Sequence, residues 1–182
     1  VRGDIRHWKN LAGAAKVDNM QVQGSLSPDS FNNIHFFSGL SPDELDLLRA
    51  LFVACEVREG DLLFAQGKPA EHLFIVVKGA VDVRYKPEDG PPLTVAHVED
   101  GGIVGWSAAL GSEMYTSGAV AVAATTLLRV HGRDLRNLCG RYPGTGALLL
   151  DRLAAVIAER LRNTHPQVKA MLESALGLVH VQ

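Results

Sequence analysis

Between Ala54 and Val130 the apolar residues come in short runs separated by glycine, and this punctuation restricts the fold more than any other feature of the chain. The runs are Val57, Leu62 to Phe64, Leu73 to Val77, Val81 to Tyr85, Leu93 to Val98, Ala119 to Ala123 and Leu127 to Val130. The breaks hold Gly60, Gly67, Gly79, Asp89-Gly90-Pro91 and Gly101-Gly102. Short strands at close spacing with turn chemistry between them indicate an antiparallel barrel or roll. In Val81–Tyr85 the alternation puts Val81, Val83 and Tyr85 on one face and Asp82 and Arg84 on the other. Glu88-Asp89-Gly90 suits a hairpin connection, where glycine takes φ > 0 without strain.

Helical patterns flank the strands. Ser41 is a good N-cap, Pro42 fits the first helical position, and Glu44 completes a capping box. Leu45, Leu48, Leu51 and Phe52 then repeat at helical spacing, which predicts a helix over Pro42 to Phe52. After the strands a short helix is expected over Gly132 to Arg141, then a break at Pro143-Gly144. A longer helix follows, with Leu149, Leu150, Leu153, Val156, Ile157 and Leu161 as its apolar stripe. Pro166 is expected to stop or kink it ahead of a second amphipathic piece carrying Val168, Met171, Leu172 and Leu176. The chain thus divides into an N-terminal arm over 1–38, a roll over 39–142 and a helical segment over 143–182. The arm, with Trp8, Leu11 and Val17 as its early apolar anchors, is expected to dock loosely or on a partner.

Composition narrows the functional classes. The chain is 47% hydrophobic, enough for a real core, and its net charge of −2 gives no electrostatic reason to expect nucleic-acid binding. No stretch approaches the ~18 apolar residues of a membrane span, and VRGDIRHWKN lacks a secretory apolar core, so a cytoplasmic location is expected. Cys55 and Cys139 have no paired spacing and read as reduced, mostly buried thiols. There is no nucleophile elbow, metal-ligand spacing or dinucleotide fingerprint, so no enzyme is indicated.

The order of helix, glycine-punctuated roll, short helix and long helix resembles the cyclic-nucleotide-binding domain of the catabolite activator protein (Crp/Fnr-like) family. GLSPDELDLL looks like the family's leading helix, and LLFAQGKPAEHLFIVVKGAVDV like its first signature, with Gly67 at the turn and Gly79 closing. The resemblance covers residues 36–162 and implies an α+β, mainly β architecture: an antiparallel, jelly-roll-like β-roll flanked by an N-terminal helix and a long C-terminal helix. It also implies a non-catalytic regulatory module whose ligand sits at a phosphate-binding cassette, here aligned with GGIVGWSAALGSEMYTSGAVAV.

The cassette's chemistry is that of a helix N-terminus, whose unpaired N–H groups suit an anionic phosphate. The residues that fall on it are Val104, Gly105, Trp106, Ser107, Ala108, Thr116 and Ser117. Two of them depart from the family. Trp106 stands where a ribose-binding Glu is expected, and Thr116 where an Arg pairs with the phosphate. From Gly101 to Val122 the only charged residue is Glu113. Losing one partner of a buried charge pair costs about 2–5 kcal/mol, so ordinary tight cyclic AMP binding is not expected. No cofactor is fixed by these residues; a cyclic nucleotide or another small anionic ligand, held weakly or in another manner, is the candidate. Trp106 has two readings: a ring that stacks on a ligand or closes the pocket, giving a ligand-less interaction domain, or an ordinary packed aromatic.

The resemblance implies a homodimer through the C-terminal helix, with Leu149, Leu153, Val156 and Arg160 on the pairing side, and leaves room for another protein partner. The family's usual output is DNA binding through a helix-turn-helix after the long helix. From Gln167 onward there are too few residues for such a unit and Lys169 is the only basic residue, so DNA binding by this chain alone is not expected. A sensor fragment of a longer transcription regulator is the remaining alternative.

Overall fold

The run His72–Lys78 reads HLFIVVK, apolar on consecutive residues, because the strand it forms is buried on both faces. Leu73 and Ile75 point into a cluster shared with the helices, while Phe74 and Val76 point into the interior of the roll. Strand period two makes this division automatic. A computed structural model describes residues 21–22 and 26–175. Among them nine strands pair antiparallel: β1 (Gln21–Val22), β2 (Val53–Val57), β3 (Leu62–Phe64), β4 (His72–Lys78), β5 (Val81–Tyr85), β6 (Leu93–Val98), β7 (Ile103–Val104), β8 (Gly118–Ala121) and β9 (Thr125–His131). One sheet has the order β1-β2-β9-β4-β7 and the other β3-β8-β5-β6. The register of β4 on β9 sets His72 opposite His131 and Ile75 opposite Leu128.

The two sheets enclose one core of Cys55, Val57, Leu63, Phe64, Phe74, Val76, Val81, Val83, Val104, Tyr115, Ala119, Ala121 and Leu127. The expected α+β, mainly β roll is the fold observed. The alternation in β5 holds for Val81 and Val83, but Tyr85 emerges at the strand's end and is 43% exposed.

Helices build the second core on the outer face of the five-stranded sheet. The chain reaches it through α1 (Pro28–Asn32), a 3-10 turn (His35–Phe37) and α2 (Pro42–Arg49). Ser41 caps α2 as expected: its side chain accepts from the Glu44 N–H, and the Glu44 carboxylate accepts from the Ser41 N–H at 2.8 Å. The helix itself ends at Arg49, with Phe52 beyond it.

The end of the arm packs tightly, from α1 onward. Phe31 and Phe37 are each 1% exposed and stack at 4.4 Å, with Phe52 edge-on to both. The spacing of Phe31, Ile34 and Phe37 is helical, but it is spread over two short elements and is masked by polar neighbours. The rest of the arm, including Trp8, Leu11 and Val17, lies outside the described residues.

Beyond β9, α4 (Gly132–Arg141) packs against α5 (Pro143–Ala175). Pro143 opens α5, where a missing N–H costs nothing. A single helix runs through Pro166, where a stop or kink was expected. Two side chains fasten its first half. Thr145 Oγ1 donates to Glu44 Oε1 at 2.5 Å, and Arg152 donates to the carbonyls of Phe36, at 2.6 Å, and Ser38. Among the described residues no helix is long and apolar enough to cross a membrane.

The Phe31–Phe37 stack joins the N-terminal segment to the helical core, so truncating it should open a cavity. Phe37→Ala is expected to lower unfolding free energy by about 3–5 kcal/mol, measured by urea denaturation. A loss below about 1 kcal/mol would mean the segment is not part of the cooperative core.

Candidate functional site

The cassette begins where β7 leaves the sheet. Val104 is fully buried in the roll, and Gly105 then turns the chain with φ 77° and ψ 25°. Glycine is required there twice over. A β-carbon would sit 2.7 Å from the His72 carbonyl oxygen, and positive φ strains any other residue. The turn launches α3 (Trp106–Ala109), a single helical turn with Ser107, Ala108 and Ala109 buried.

The return limb is held by the turn at Gly67. The Gly67 N–H donates to the Tyr115 carbonyl, the Tyr115 N–H to the Lys68 carbonyl, and the Ala70 N–H to the Glu113 carbonyl, all at 2.9 Å. Thr116 is left exposed and Ser117 half-buried at the start of β8.

Tyr115 is the residue that sequence reasoning missed. Its ring stacks on Phe64 at 3.9 Å, and Phe64 lies 5.9 Å from Phe74. Its hydroxyl donates to the His72 carbonyl at 2.7 Å and accepts from the His72 N–H at 2.9 Å. One phenol thus satisfies both backbone polar groups of His72. Burial pushes this phenol up to about 12. The sequence offered only a tyrosine beside Thr116, with nothing to say which way it pointed.

Trp106 does not close the roll. Its ring packs with the helical core, on the opposite side of the five-stranded sheet from the roll interior. There the Arg160 guanidinium lies 4.5 Å from the ring centroid. Arg160 Nη2 also donates to the Ile103 carbonyl at 2.8 Å, and burial lowers its pKa to about 10. The packed-aromatic reading of Trp106 is therefore the one observed; the aromatic rings inside the roll are Phe64, Phe74 and Tyr115.

Both ends of α3 touch the C-terminal helices. Ala108 faces Gly132 so closely that a β-carbon on Gly132 would lie 2.3 Å from the Ala108 oxygen. Arg136 of α4 donates to that same carbonyl, which also accepts from the Gly111 N–H at 3.4 Å. Arg160 joins α5 to Ile103 and Trp106.

The long helix divides its apolar stripe between two faces. Leu149 and Leu153 are each 3% exposed, against the chain's own core, and Val156 and Arg160 are half-buried on the same side. The apolar residues that face outward are Leu148, Leu150 and Leu161, at 43, 50 and 59% exposure.

The profile of the cyclic nucleotide-binding domain matches residues 54–142, from β2 to the end of α4. A cyclic AMP receptor protein from Thermus thermophilus is 32% identical over 126 residues, covering 69% of this chain. The chain spans 56% of that relative's length. A cyclic nucleotide-binding domain from Methylobacillus flagellatus superposes with TM-score 0.76, covering 89% of this chain and 94% of the other at 20% identity, and so shares the fold. The regulatory subunit of a cAMP-independent protein kinase A from Trypanosoma brucei, a triple mutant bound to cAMP in its A site, superposes with TM-score 0.61. It is 25% identical, over 70% of this chain and 44% of that one.

The Tyr115 phenol ties stability to alkaline pH. Its pKa in the folded chain is about 12, against 10 when unfolded, so its contribution is complete below pH 10 and is lost as pH rises toward 12. Tyr115→Phe should lower unfolding free energy by about 1–3 kcal/mol at neutral pH by leaving the His72 N–H unpaired, and should flatten the alkaline decline. Urea denaturation across that range measures both. An unchanged alkaline slope in the variant would assign the decline to other groups.

Proposed function

The chain belongs to the cyclic nucleotide-binding domain family, with Crp-type relatives, and on that premise we propose that it is a non-catalytic regulatory module. It responds to a small nucleotide-like ligand by a route other than the family's ion pair, and it passes the response to α5. The observation that carries this reading is the cassette itself. Its turn at Gly105 and its contacts with α4 and α5 are in place, while the position expected to hold a cation, Thr116, is an exposed hydroxyl. The position expected to hold the ribose-binding acid is Trp106, turned toward Arg160.

A module built this way keeps the mechanical half of a sensor and alters its chemical half. Any shift of α3 moves Ala108 against Gly132 and Arg136, and moves Trp106 and Ile103 against Arg160. The kinase subunit described as cAMP-independent supports a roll of this type that does not answer to cAMP. The cAMP-bound form of that subunit carries a threonine-to-arginine change among its three substitutions. Cytoplasmic location follows the Crp-type relatives.

A homodimer through α5 belongs to the same proposal, with the seam moved outward. Leu150, Ala154, Ile157 and Leu161 follow a 4-3-4 spacing, and all but the half-buried Ile157 are exposed. Dimer formation over this seam would leave the inward face free to hold the roll.

Calorimetric titration with cyclic AMP and cyclic GMP tests the ligand half. Binding weaker than about 100 μM is expected for the chain as it stands, and the variant Thr116→Arg should gain about 30-fold or more. Micromolar binding by the unaltered chain would overturn the claim. Sedimentation velocity tests the other half: the dimer expected for the chain should become monomer in the double variant Leu150→Glu, Leu161→Glu. A monomer before substitution would remove the dimer from the proposal.

A further inference from the structure

Two histidines face each other at one end of the five-stranded sheet. His72 of β4 and His131 of β9 are register partners, and their rings meet edge to face with centroids 5.1 Å apart. Both are half-buried. Their backbones are tied to the cassette. The Tyr115 phenol holds both polar groups of His72, and Gly132, next after His131, packs on Ala108 with no room for a β-carbon.

His131 is also the N-cap of α4: its Nδ1 accepts from the Arg133 N–H at 3.2 Å. The common caps, serine, threonine, aspartate and asparagine, accept at every pH near neutrality. An imidazole nitrogen accepts only while it carries no proton, and in the charged ring both nitrogens are donors. Histidine is the side chain whose charge ordinarily changes between about pH 5 and 8.

We propose that His131 is a pH-sensitive cap. Neutral, it closes the first turn of α4 and seats that turn on the cassette; protonated, it releases the turn and loosens the contact with Ala108. The inference goes beyond the ligand reading and does not rest on it, because the device needs no bound molecule.

Three effects of protonation act in the same direction. The Arg133 N–H loses its acceptor. A positive charge arrives at the positive end of a ten-residue helix. That charge also stands beside His72 and on the same strand face as Arg129, two residues earlier. Burial first, then Arg129 and His131, lower the pKa of His72, so the pair resists taking up two protons. Glu71, just before β4, and Asp134, in the first turn of α4, pull the other way. Glu71 is exposed and Asp134 lies 3.7 Å from Arg133, so solvent and a neighbouring cation weaken both. Farther along α4, Arg136 is engaged with the Ala108 carbonyl. The cassette's one acid, Glu113, is exposed.

The sign follows from His72. Its neutral form is favoured in the folded chain, so its contribution to stability is complete above the ordinary value of 6.5 and is lost as pH falls below it. Loss of the His131 cap adds to the same decline. The first turn transmits it, because the Gly132 N–H donates to the Glu71 carbonyl at 2.8 Å while its α-carbon rests on Ala108.

Amide hydrogen exchange, corrected for the intrinsic rate and followed from about pH 7.5 to 5, tests the device together with NMR titration of both rings. Exchange at Arg133 is expected to rise about fivefold or more, the effect of a lost cap, with the same midpoint as the His131 ring. Gly111, whose N–H donates to the Ala108 carbonyl, should follow it. His131→Asn, an acceptor that does not titrate, should stay at the slow rate throughout, and His131→Ala at the fast rate throughout. His72→Gln should keep the transition and move its midpoint to higher pH. A melting curve on each variant checks that the fold is retained. A flat profile for the unaltered chain overturns the proposal, as does a full rise in His131→Asn. A rise at Arg133 with none at Gly111 overturns the link to the cassette. Each of these failures leaves the sensor reading standing, because cyclic nucleotide titration measures that separately.

Discussion

Two-sided burial of β4 is the constraint on which the other contacts depend. A strand that carries Leu73 and Ile75 to one side and Phe74 and Val76 to the other must be covered by a second sheet on one face and by helices on the other. The cost of ordering so many residues is offset only when both clusters form. The roll therefore does not exist apart from α1, α2, α4 and α5, and the matched segment over 54–142 takes in only part of the core it needs. β7 repeats the same division over two residues, with Ile103 on the helix side and Val104 on the roll side. Because β7 runs into the cassette, the cassette starts from the plane that separates the two cores.

That position explains why the two departures from the family behave so differently. Thr116 follows the return limb that pairs with the Gly67 turn, and it is exposed to solvent. Trp106 follows Ile103 and Val104 by one turn at Gly105, and it lands on the helix side. One departure leaves an exposed hydroxyl where the family resemblance leads one to expect a cation. The other adds a large ring to the seam between cassette and long helix, where Arg160 covers it. The cation–π contact and the Ile103 hydrogen bond then act at one point.

Much of this was legible in the sequence, and the failures have physical causes. Gly105, Gly67 and the capping box at Ser41 have signatures local to a few residues, and each was found. The strands were legible because turn glycines bound them. The burial of residues 28–38 was not, because Phe31 and Phe37 take their meaning from Phe52 and the outer face of a distant sheet. Which face of α5 covers the roll was not legible for a related reason. Its stripe is wide enough for two faces, and periodicity alone does not say which one the roll takes. Pro166 was read as a break, yet the helix passes through it. Tyr115 was invisible because its role lies in the backbone of His72, 43 positions earlier in the chain.

The fastening of α5 has a mechanical consequence. Thr145 and Arg152 pin the helix to Glu44 and to the carbonyls of Phe36 and Ser38, all within its first ten residues. From Arg152 to Ala175 the helix runs 23 residues further, about 35 Å at 1.5 Å per residue. Arg160 engages the cassette about 12 Å along that arm. The helix is thus a lever with its fulcrum at the N-terminal end and its load at the far tip. A tilt of the helix about that anchor would move Ala175 about three times as far as Arg160.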